Sequence, residues 1–363
     1  MPKIRTMVVD DAVVMRKLIT EALARDPEIE VVGVAANGSI ALQKLTQINP
    51  DIITLDVEMP DMDGLATLRE IRKTHPRLPV IMFSTLTARG AATTLDCLAR
   101  GATDYVTKPS NMGNVGECLD RLQGDLVSKI KVHCRRSPAT MGVLQNQPKL
   151  TPARPSLPRF SAGSTPNPVD MVCVGTSTGG PNALADVFRA MPKDLSVPIV
   201  VVQHMPPLFT AMLAERLTQN TPVRFCEATE GQLLEPGRGY LAPGGRHMEV
   251  RRDGFGFRAH LHDGPPENSC RPAVDVLFRS VVAACGGNVL GVIMTGMGQD
   301  GARGCELIRE RGGQVIVQDE PTSVVWGMPG YVAQAGLADK ILPLNQIAGE
   351  IVLRVRARRP VTA

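Results

Sequence analysis

The feature that most constrains this chain is an alternation of short apolar runs with helix-compatible stretches, which occurs in two blocks. In the first block the runs fall at 4–10 (IRTMVVD), 29–34 (IEVVGV), 51–55 (DIITL), 79–83 (PVIMF) and 103–107 (TDYVT). Continuous apolar strands of this length, separated by helices, belong to a parallel sheet covered on both faces. The first block therefore reads as a doubly wound (βα)5 unit of the α/β class. In the second block, strand-like runs at 170–175, 197–203, 223–228, 239–241, 247–252, 256–261, 289–295 and 314–318 are interleaved with helical spacing over 181–191, 208–219, 273–285 and 301–311. The stretch 239–262 reads as a β-hairpin. A larger, mostly parallel, doubly wound α/β domain with an antiparallel hairpin addition is expected there.

Between the blocks, residues 126–169 contain no Asp or Glu, seven Lys or Arg and seven Pro. Proline at this density prevents regular structure and extends the chain, so the segment reads as a basic tether that follows a helical pattern over 119–130. The expected boundaries are 1–124 for the first domain, 125–168 for the linker, 169–356 for the second domain and 357–363 for a tail. A formal charge of +4 over 363 residues, partly concentrated in that linker, gives no support to nucleic-acid binding by the folded parts. The eight cysteines show no CxxC pair and no metal-ligand spacing, and read as reduced, mostly buried thiols. The opening MPKIRTMVVDDA lacks the apolar core of a signal peptide, and no run approaches the length of a bilayer span. A cytoplasmic location without direct membrane insertion is the expectation.

Two crevices carry the chemistry. In the first block, Asp10 and Asp11 end the first run and Asp56 the third, where open parallel sheets place their ligands. Three converging carboxylates repel one another unless a hard cation neutralises them, and Mg2+ is the natural occupant. Ser84 ends the fourth run and Lys108 the fifth, which suits a hydroxyl and an ammonium holding a phosphoryl group on Asp56. A cis bond is expected between Lys108 and Pro109, to aim the lysine inward. Each residue singly also fits a solvated loop; the set argues for a site.

In the second block, DMVCVG runs into GTSTGGPNAL, placing Ser177 in a G-x-S-x-G turn before a helix that opens on Pro181. Such a turn presents a hydroxyl at a helix N-terminus, but it also serves as a phosphate cradle or a packing device. A dinucleotide fingerprint is disfavoured, because Ser177 takes its second glycine position and the next strand ends in Gln203 and His204. A serine nucleophile needs a base, and His204 alone among six histidines ends a strongly apolar strand. His247, His260 and His262 read as hairpin residues. Asp300, which ends NVLGVIMTGMGQD in a glycine-rich loop beyond an apolar run, is the carboxylate expected to orient the imidazole; it also fits a helix cap, and Asp275 and Asp319 are weaker candidates.

VVDDA, LDVEMPDMDG around Asp56, FST around Ser84 and YVTKP resemble the response-regulator receiver family over residues 3–124. That resemblance implies that Asp56 accepts a phosphoryl group from a histidine kinase. It also implies that Asp10, Asp11, Asp56 and the Glu58 carbonyl bind Mg2+, and that Ser84 and Tyr105 relay the change. GTSTGG, VQHMP and TGMGQDGA resemble the chemotaxis protein-glutamate methylesterase family over 169–355. This second resemblance implies Ser177 as nucleophile, His204 as general base, Asp300 as its orienter and the Met297 amide as an oxyanion donor. It further implies hydrolysis without a cofactor, acting on glutamate methyl esters and certain glutamines of methyl-accepting chemoreceptors. Two other classes compete: a DNA-binding regulator, disfavoured by about 190 residues of alternating strands and helices in place of a short helical module, and a non-catalytic phosphate binder using the Gly175–Gly180 turn.

Overall fold

The computed structural model describes residues 2–109, 115–134, 167–254 and 256–357. Most of the expected linker and nearly all of the expected tail lie outside the described residues. The chain divides into two compact units, Met1–Ala153 and Arg154–Ala363, each with its own sheet and core.

The first unit has five strands: β1 (Ile4–Val9), β2 (Ile29–Ala35), β3 (Ile52–Asp56), β4 (Val80–Ser84) and β5 (Asp104–Thr107). They form one parallel sheet in the order β2-β1-β3-β4-β5, so the strand order reverses between β1 and β3. β3 and β4 are buried along their whole length, as their continuous apolar runs require. Helix starts follow local chemistry, with the Asn37, Asp63 and Thr87 side chains each accepting from a backbone amide of the first turn.

The last helical run passes the boundary expected at 124. Helix Val115–Leu122 continues through a π-helical turn, Gln123–Val127, into helix Ser128–Cys134. Leu119, Leu122, Leu126, Val127 and Ile130 are buried against the first core, at spacings that keep one face apolar. Among the described residues, the two lysines that counted toward a solvated tether, Lys129 and Lys131, are paired. Lys129 lies 2.7 Å and His133 3.3 Å from Asp104, while Lys131 bridges Asp26 and Glu28. Apolar periodicity and ion pairing outweigh the absence of acidic residues, so regular structure continues to Cys134.

The second unit contains β6 (Met171–Thr176), β7 (Ile199–Gln203), β8 (Arg224–Glu227), β9 (Arg238–Leu241), β10 (His247–Asp253), β11 (Gly256–His262), β12 (Val289–Ile293), β13 (Gln314–Gln318) and β14 (Lys340–Leu342). Seven of them build a sheet in the order β14-β13-β12-β6-β7-β9-β8, with every pairing parallel. The antiparallel hairpin is β10 and β11 alone, a separate two-stranded sheet; β9, which the sequence grouped with it, joins the main sheet beside β7. Met248, Val250, Ala259 and Leu261 of the hairpin share a core with Val274, Leu277, Phe278 and Val281 of helix Val274–Cys285. Helices Met328–Gln334 and Leu344–Arg356, and strand β14, were not anticipated. The first opens on Pro329 and contains Gly330, which weakens its helical signature, and β14 is only three residues long with Lys340 and Ile341 exposed.

Asp104 gives a measurable handle on the first unit. Burial pushes its carboxyl up, but Lys129 and His133 outweigh burial and bring it down to about 2. The folded value lies below the unfolded one, so the stabilisation of about 2 kcal/mol is complete above about pH 4 and is lost as pH falls toward about 2. Asp104→Asn is expected to lower stability at neutral pH by about 2 kcal/mol and to lack the wild-type loss between those pH values. Denaturant midpoints across pH 2–7 check both.

Candidate active site

β6, β7 and β12 lie side by side, with β6 in the middle. β6 and β7 pair up to Thr176↔Gln203, so Ser177 and His204 follow at the next step of the same register, off the C-terminal ends of adjacent strands. The His204 amide donates to the Thr176 carbonyl at 3.1 Å and the Ser177 amide to the Thr295 carbonyl at 3.0 Å, tying all three strand ends together. After Ser177 the chain turns through Gly179, whose φ of 79° favours glycine, into helix Gly180–Arg189. A Cβ on Gly180 would lie 1.8 Å from Gln203 Oε1, and that same glutamine accepts from Thr176 Oγ1 and donates to the Ser177 carbonyl. The glycines therefore allow Gln203 to lock the turn. Among the described residues, the amides of Thr178, Gly179 and Met297 make no backbone hydrogen bond, which leaves them as donors near the serine. The loop that carries Met297 lies close by, since a Cβ on its neighbour Gly296 would stand 2.8 Å from Ser177 Cβ.

His204 Nε2 lies 2.8 Å from Asp300 Oδ2. Asp300 is buried, and it accepts from the Val274 amide at 2.6 Å, the Asp275 amide at 3.0 Å and Asn268 Nδ2 at 2.9 Å. Two of those amides open helix Val274–Cys285, whose N-terminus favours negative charge. Burial pushes the Asp300 carboxyl up, but His204 and these amides outweigh burial and hold it below the ordinary range. An ionised Asp300 makes Nε2 the protonated nitrogen of a neutral ring and leaves Nδ1 as the acceptor. Cys270 Sγ lies 3.6 Å from that Nδ1. Among the described residues no hydrogen bond joins the Ser177 hydroxyl to His204, a common state of such pairs before substrate binds. Burial pulls the His204 imidazole down, but Asp300 and Cys270 outweigh it and raise it to about 9.

The weaker sequence candidates have other work. Asp275 is buried beside Asp300, accepts from the Gly304 amide and Asn268 Nδ2, and is pushed up to about 6, first by burial. Asp319 accepts from Thr322 in its own loop. His247 is a packing residue with both ring nitrogens engaged, by the Pro265 carbonyl and the Ala273 amide. Sequence reasoning missed Cys270 and Asn268. Both sit on a loop where Asn268 and Ser269 have φ of 51° and 62°, next to a cis Arg271–Pro272 bond, and nothing in the local pattern signals either role.

In the first unit, Asp10, Asp11 and Asp56 offer carboxylate oxygens that all lie within 4.8 Å of one another. Lys108 Nζ is 2.9 Å from Asp10 Oδ2 and 2.7 Å from Asp56 Oδ2, although neither oxygen accepts a well-aligned hydrogen bond. An all-oxygen donor set with under-satisfied buried oxygens fits a hard divalent cation such as Mg2+. Burial pushes the Asp56 carboxyl up to about 6, with Asp10 adding to the effect and Lys108 opposing it. Ser84 is buried at the end of β4, its carbonyl accepting from the Lys108 amide at 2.7 Å. The Glu58 amide lies 3.2 Å from Asp56 Oδ1. Tyr105 sits away from the carboxylates, with its ring 5.3 Å from Lys129 Nζ. The cis bond expected at Lys108–Pro109 is absent; the two ion pairs already aim the lysine inward.

A CheB methylesterase family model matches residues 172–351, and a response regulator receiver domain model matches 6–120. A protein from Nocardioides sp., named protein-glutamate methylesterase/protein-glutamine glutaminase, is 50% identical over 99% of this chain and 98% of its own length. This chain belongs to the CheB methylesterase family. A protein of the same name from Trichodesmium erythraeum is 50% identical over 98% of this chain and 100% of its own length. The crystal structure of the Thermotoga maritima CheB methylesterase catalytic domain is 38% identical, with a TM-score of 0.50, covering 51% of this chain and 98% of that one. The chain is thus a CheB methylesterase that carries a response-regulator receiver domain. Among the described residues, no helix is long and apolar enough to cross a membrane.

If His204 is the base for Ser177, its protonated form cannot take the serine proton. Because its value is raised to about 9, kcat/KM for ester hydrolysis is expected to climb about tenfold per pH unit from neutrality and to level off above about 9. Asp300→Asn is expected to lower kcat by about 10³–10⁴-fold with the fold retained, because an amide neither fixes the tautomer nor stabilises the imidazolium. Steady-state methanol release across pH 6–10 checks the first, and single-point kinetics with circular dichroism the second.

Proposed function

We propose that this enzyme demethylates glutamate methyl esters, and deamidates particular glutamines, on methyl-accepting chemoreceptors. Ser177, His204 and Asp300 act as the catalytic triad. The observation that carries this reading is the 2.8 Å contact of His204 with a buried, four-fold hydrogen-bonded Asp300, at the end of the strand next to Ser177. Ser177 Oγ attacks the ester carbonyl carbon as His204 Nδ1 takes the hydroxyl proton, and Asp300 stabilises the resulting imidazolium. The oxyanion is met by backbone amides, with Met297 and the residues after Ser177 as donors. His204 returns the proton to the departing methoxide, releasing methanol and leaving an acyl-enzyme on Ser177. Water, deprotonated by His204, then frees the carboxylate. Glutamine follows the same course with ammonia as the leaving group, and no cofactor is needed in either case.

In the receiver, Asp56 accepts a phosphoryl group from a chemotaxis histidine kinase. Mg2+ held by Asp10, Asp11, Asp56 and the Glu58 carbonyl would neutralise the carboxylate cluster and the incoming phosphate. Lys108 would exchange its contact with Asp56 for one with a phosphoryl oxygen, Ser84 would hold another, and Tyr105 would carry the change outward. The proposed effect is relief of a steric inhibition of the esterase in the cytoplasm.

Ser177→Ala is expected to cut methanol release from methylated receptor by about 10⁵-fold or more while the protein stays folded. Asp56→Asn is expected to retain basal hydrolysis and to abolish its acceleration by a small-molecule phosphodonor. Persistent acceleration in that variant would refute the switch. Retained methanol release in Ser177→Ala would refute the triad.

A further inference from the structure

Among the described residues, two clusters bring three potential metal ligands within 4.8 Å of one another. One is the acidic pocket of the receiver, which is all oxygen. The other is His204, Cys270 and Asp300, in the esterase half. Its nitrogen and sulfur donors select a different class of ion, because thiolate and imidazole prefer Zn2+ to Mg2+.

The geometry of the second cluster is specific. Zn2+ binds thiolate at about 2.3 Å and imidazole nitrogen at about 2.0–2.1 Å in tetrahedral sites, which sets the S···N edge at about 3.5 Å. Cys270 Sγ and His204 Nδ1 are 3.6 Å apart. The other ring nitrogen is held by Asp300, and a carboxylate on the far side of a ligating histidine is the usual outer support of a zinc site. Asp300 itself stays in that outer role, because both its oxygens are already taken by His204, Asn268 and the amides of Val274 and Asp275.

Cys270 is also held in place and within reach of solvent. Its amide and carbonyl exchange hydrogen bonds with Glu267, at 2.8 and 3.1 Å, and Glu267 is in turn clamped by both Arg279 nitrogens at 2.6 Å. Left-handed φ values at Asn268 and Ser269 are costly conformations that persist only where surrounding contacts fix them. The core cysteines contrast with it. Burial pushes the Cys97 and Cys285 thiols up to about 12, and those of Cys173 and Cys305 far above the ordinary range, whereas Cys270 is only partly buried.

We propose that Cys270 Sγ and His204 Nδ1 form a Zn2+ site that shuts off the esterase when filled. The cation takes the Nδ1 lone pair and the thiolate, the thiol proton and the Nδ1 proton of the imidazolium pass to solvent, and water completes the coordination. Nδ1 is the nitrogen left to accept the serine proton, so the filled site removes the base. The inhibitory consequence rests on the proposed role of His204; the binding site does not.

The test uses the full chain. Methanol release is followed against Zn2+, and absorption is followed against Co2+ as a spectroscopic substitute. Zn2+ is expected to inhibit, a chelator to restore activity, and Co2+ to produce a thiolate-to-cobalt charge-transfer band. The oxygen-only receiver pocket cannot give that band. Cys270→Ala is expected to lose the band and, against its own metal-free rate, to need at least about tenfold more Zn2+ for half inhibition. Cys270→Ser serves the same comparison should the alanine variant not fold. Asp300→Asn is expected to keep the band with affinity about 10–100-fold lower, and Ser177→Ala to keep it unchanged. No band in the native chain, a band that survives loss of Cys270, or equal Zn2+ sensitivity with and without Cys270 overturns the proposal. Retained methanol release in Ser177→Ala is a failure of the triad and leaves the absorption result standing.

Discussion

The buried carboxylate of Asp300 is the constraint on which the esterase half depends. An ionised carboxylate with almost no access to water survives only if its oxygens are satisfied, and here four donors from three parts of the chain converge on it. Those donors are the start of helix Val274–Cys285, the Asn268 loop and the histidine that ends β7. Satisfying one charge therefore fixes the relative positions of a helix, a loop and two strand ends. Asp275, beside it, is pushed up to about 6, first by burial and then by the neighbouring Asp300 charge. Asn268 donates to both and keeps them in register.

The same logic in two versions explains why one chain holds two crevices. In each unit a central strand has neighbours added on opposite sides at different points in the sequence, β1 between β2 and β3, and β6 between β7 and β12. Helices on opposite faces then leave an opening above the strand C-termini, which is where an open α/β sheet binds ligands. The receiver fills its opening with carboxylates and a lysine, a set suited to a hard cation and a phosphoryl group. The esterase fills its opening with a hydroxyl, an imidazole and a thiol around backbone amides. The sheets are alike, and the residues at the strand ends set the chemistry.

Much of this was legible from local pattern. The five strands of the receiver and the parallel core of the esterase follow from continuous apolar runs, and Ser177, His204 and Asp300 were singled out because each follows such a run. The last receiver helix, expected over 119–130, runs on to Cys134 for a physical reason. Its Lys129, Lys131 and His133 look like a solvated basic stretch until Asp104, Asp26 and Glu28 are brought beside them by the fold. Helix Met328–Gln334 and β14 were missed because a proline, a glycine and exposed side chains hide elements that exist by virtue of their neighbours.

By itself, the sequence determined which residue types stand at the ends of which strands, because strand periodicity and glycine-rich turns are local properties. Only the tertiary structure decided which of them meet. His204 and Asp300 are 96 residues apart and Cys270 and His204 are 66 apart, so their contacts depend on strand order and on a strained loop. The ring nitrogen that Asp300 takes and the thiol facing the other nitrogen both follow from that placement. No period in the sequence encodes it, because burial of a charge is settled by every element that surrounds it.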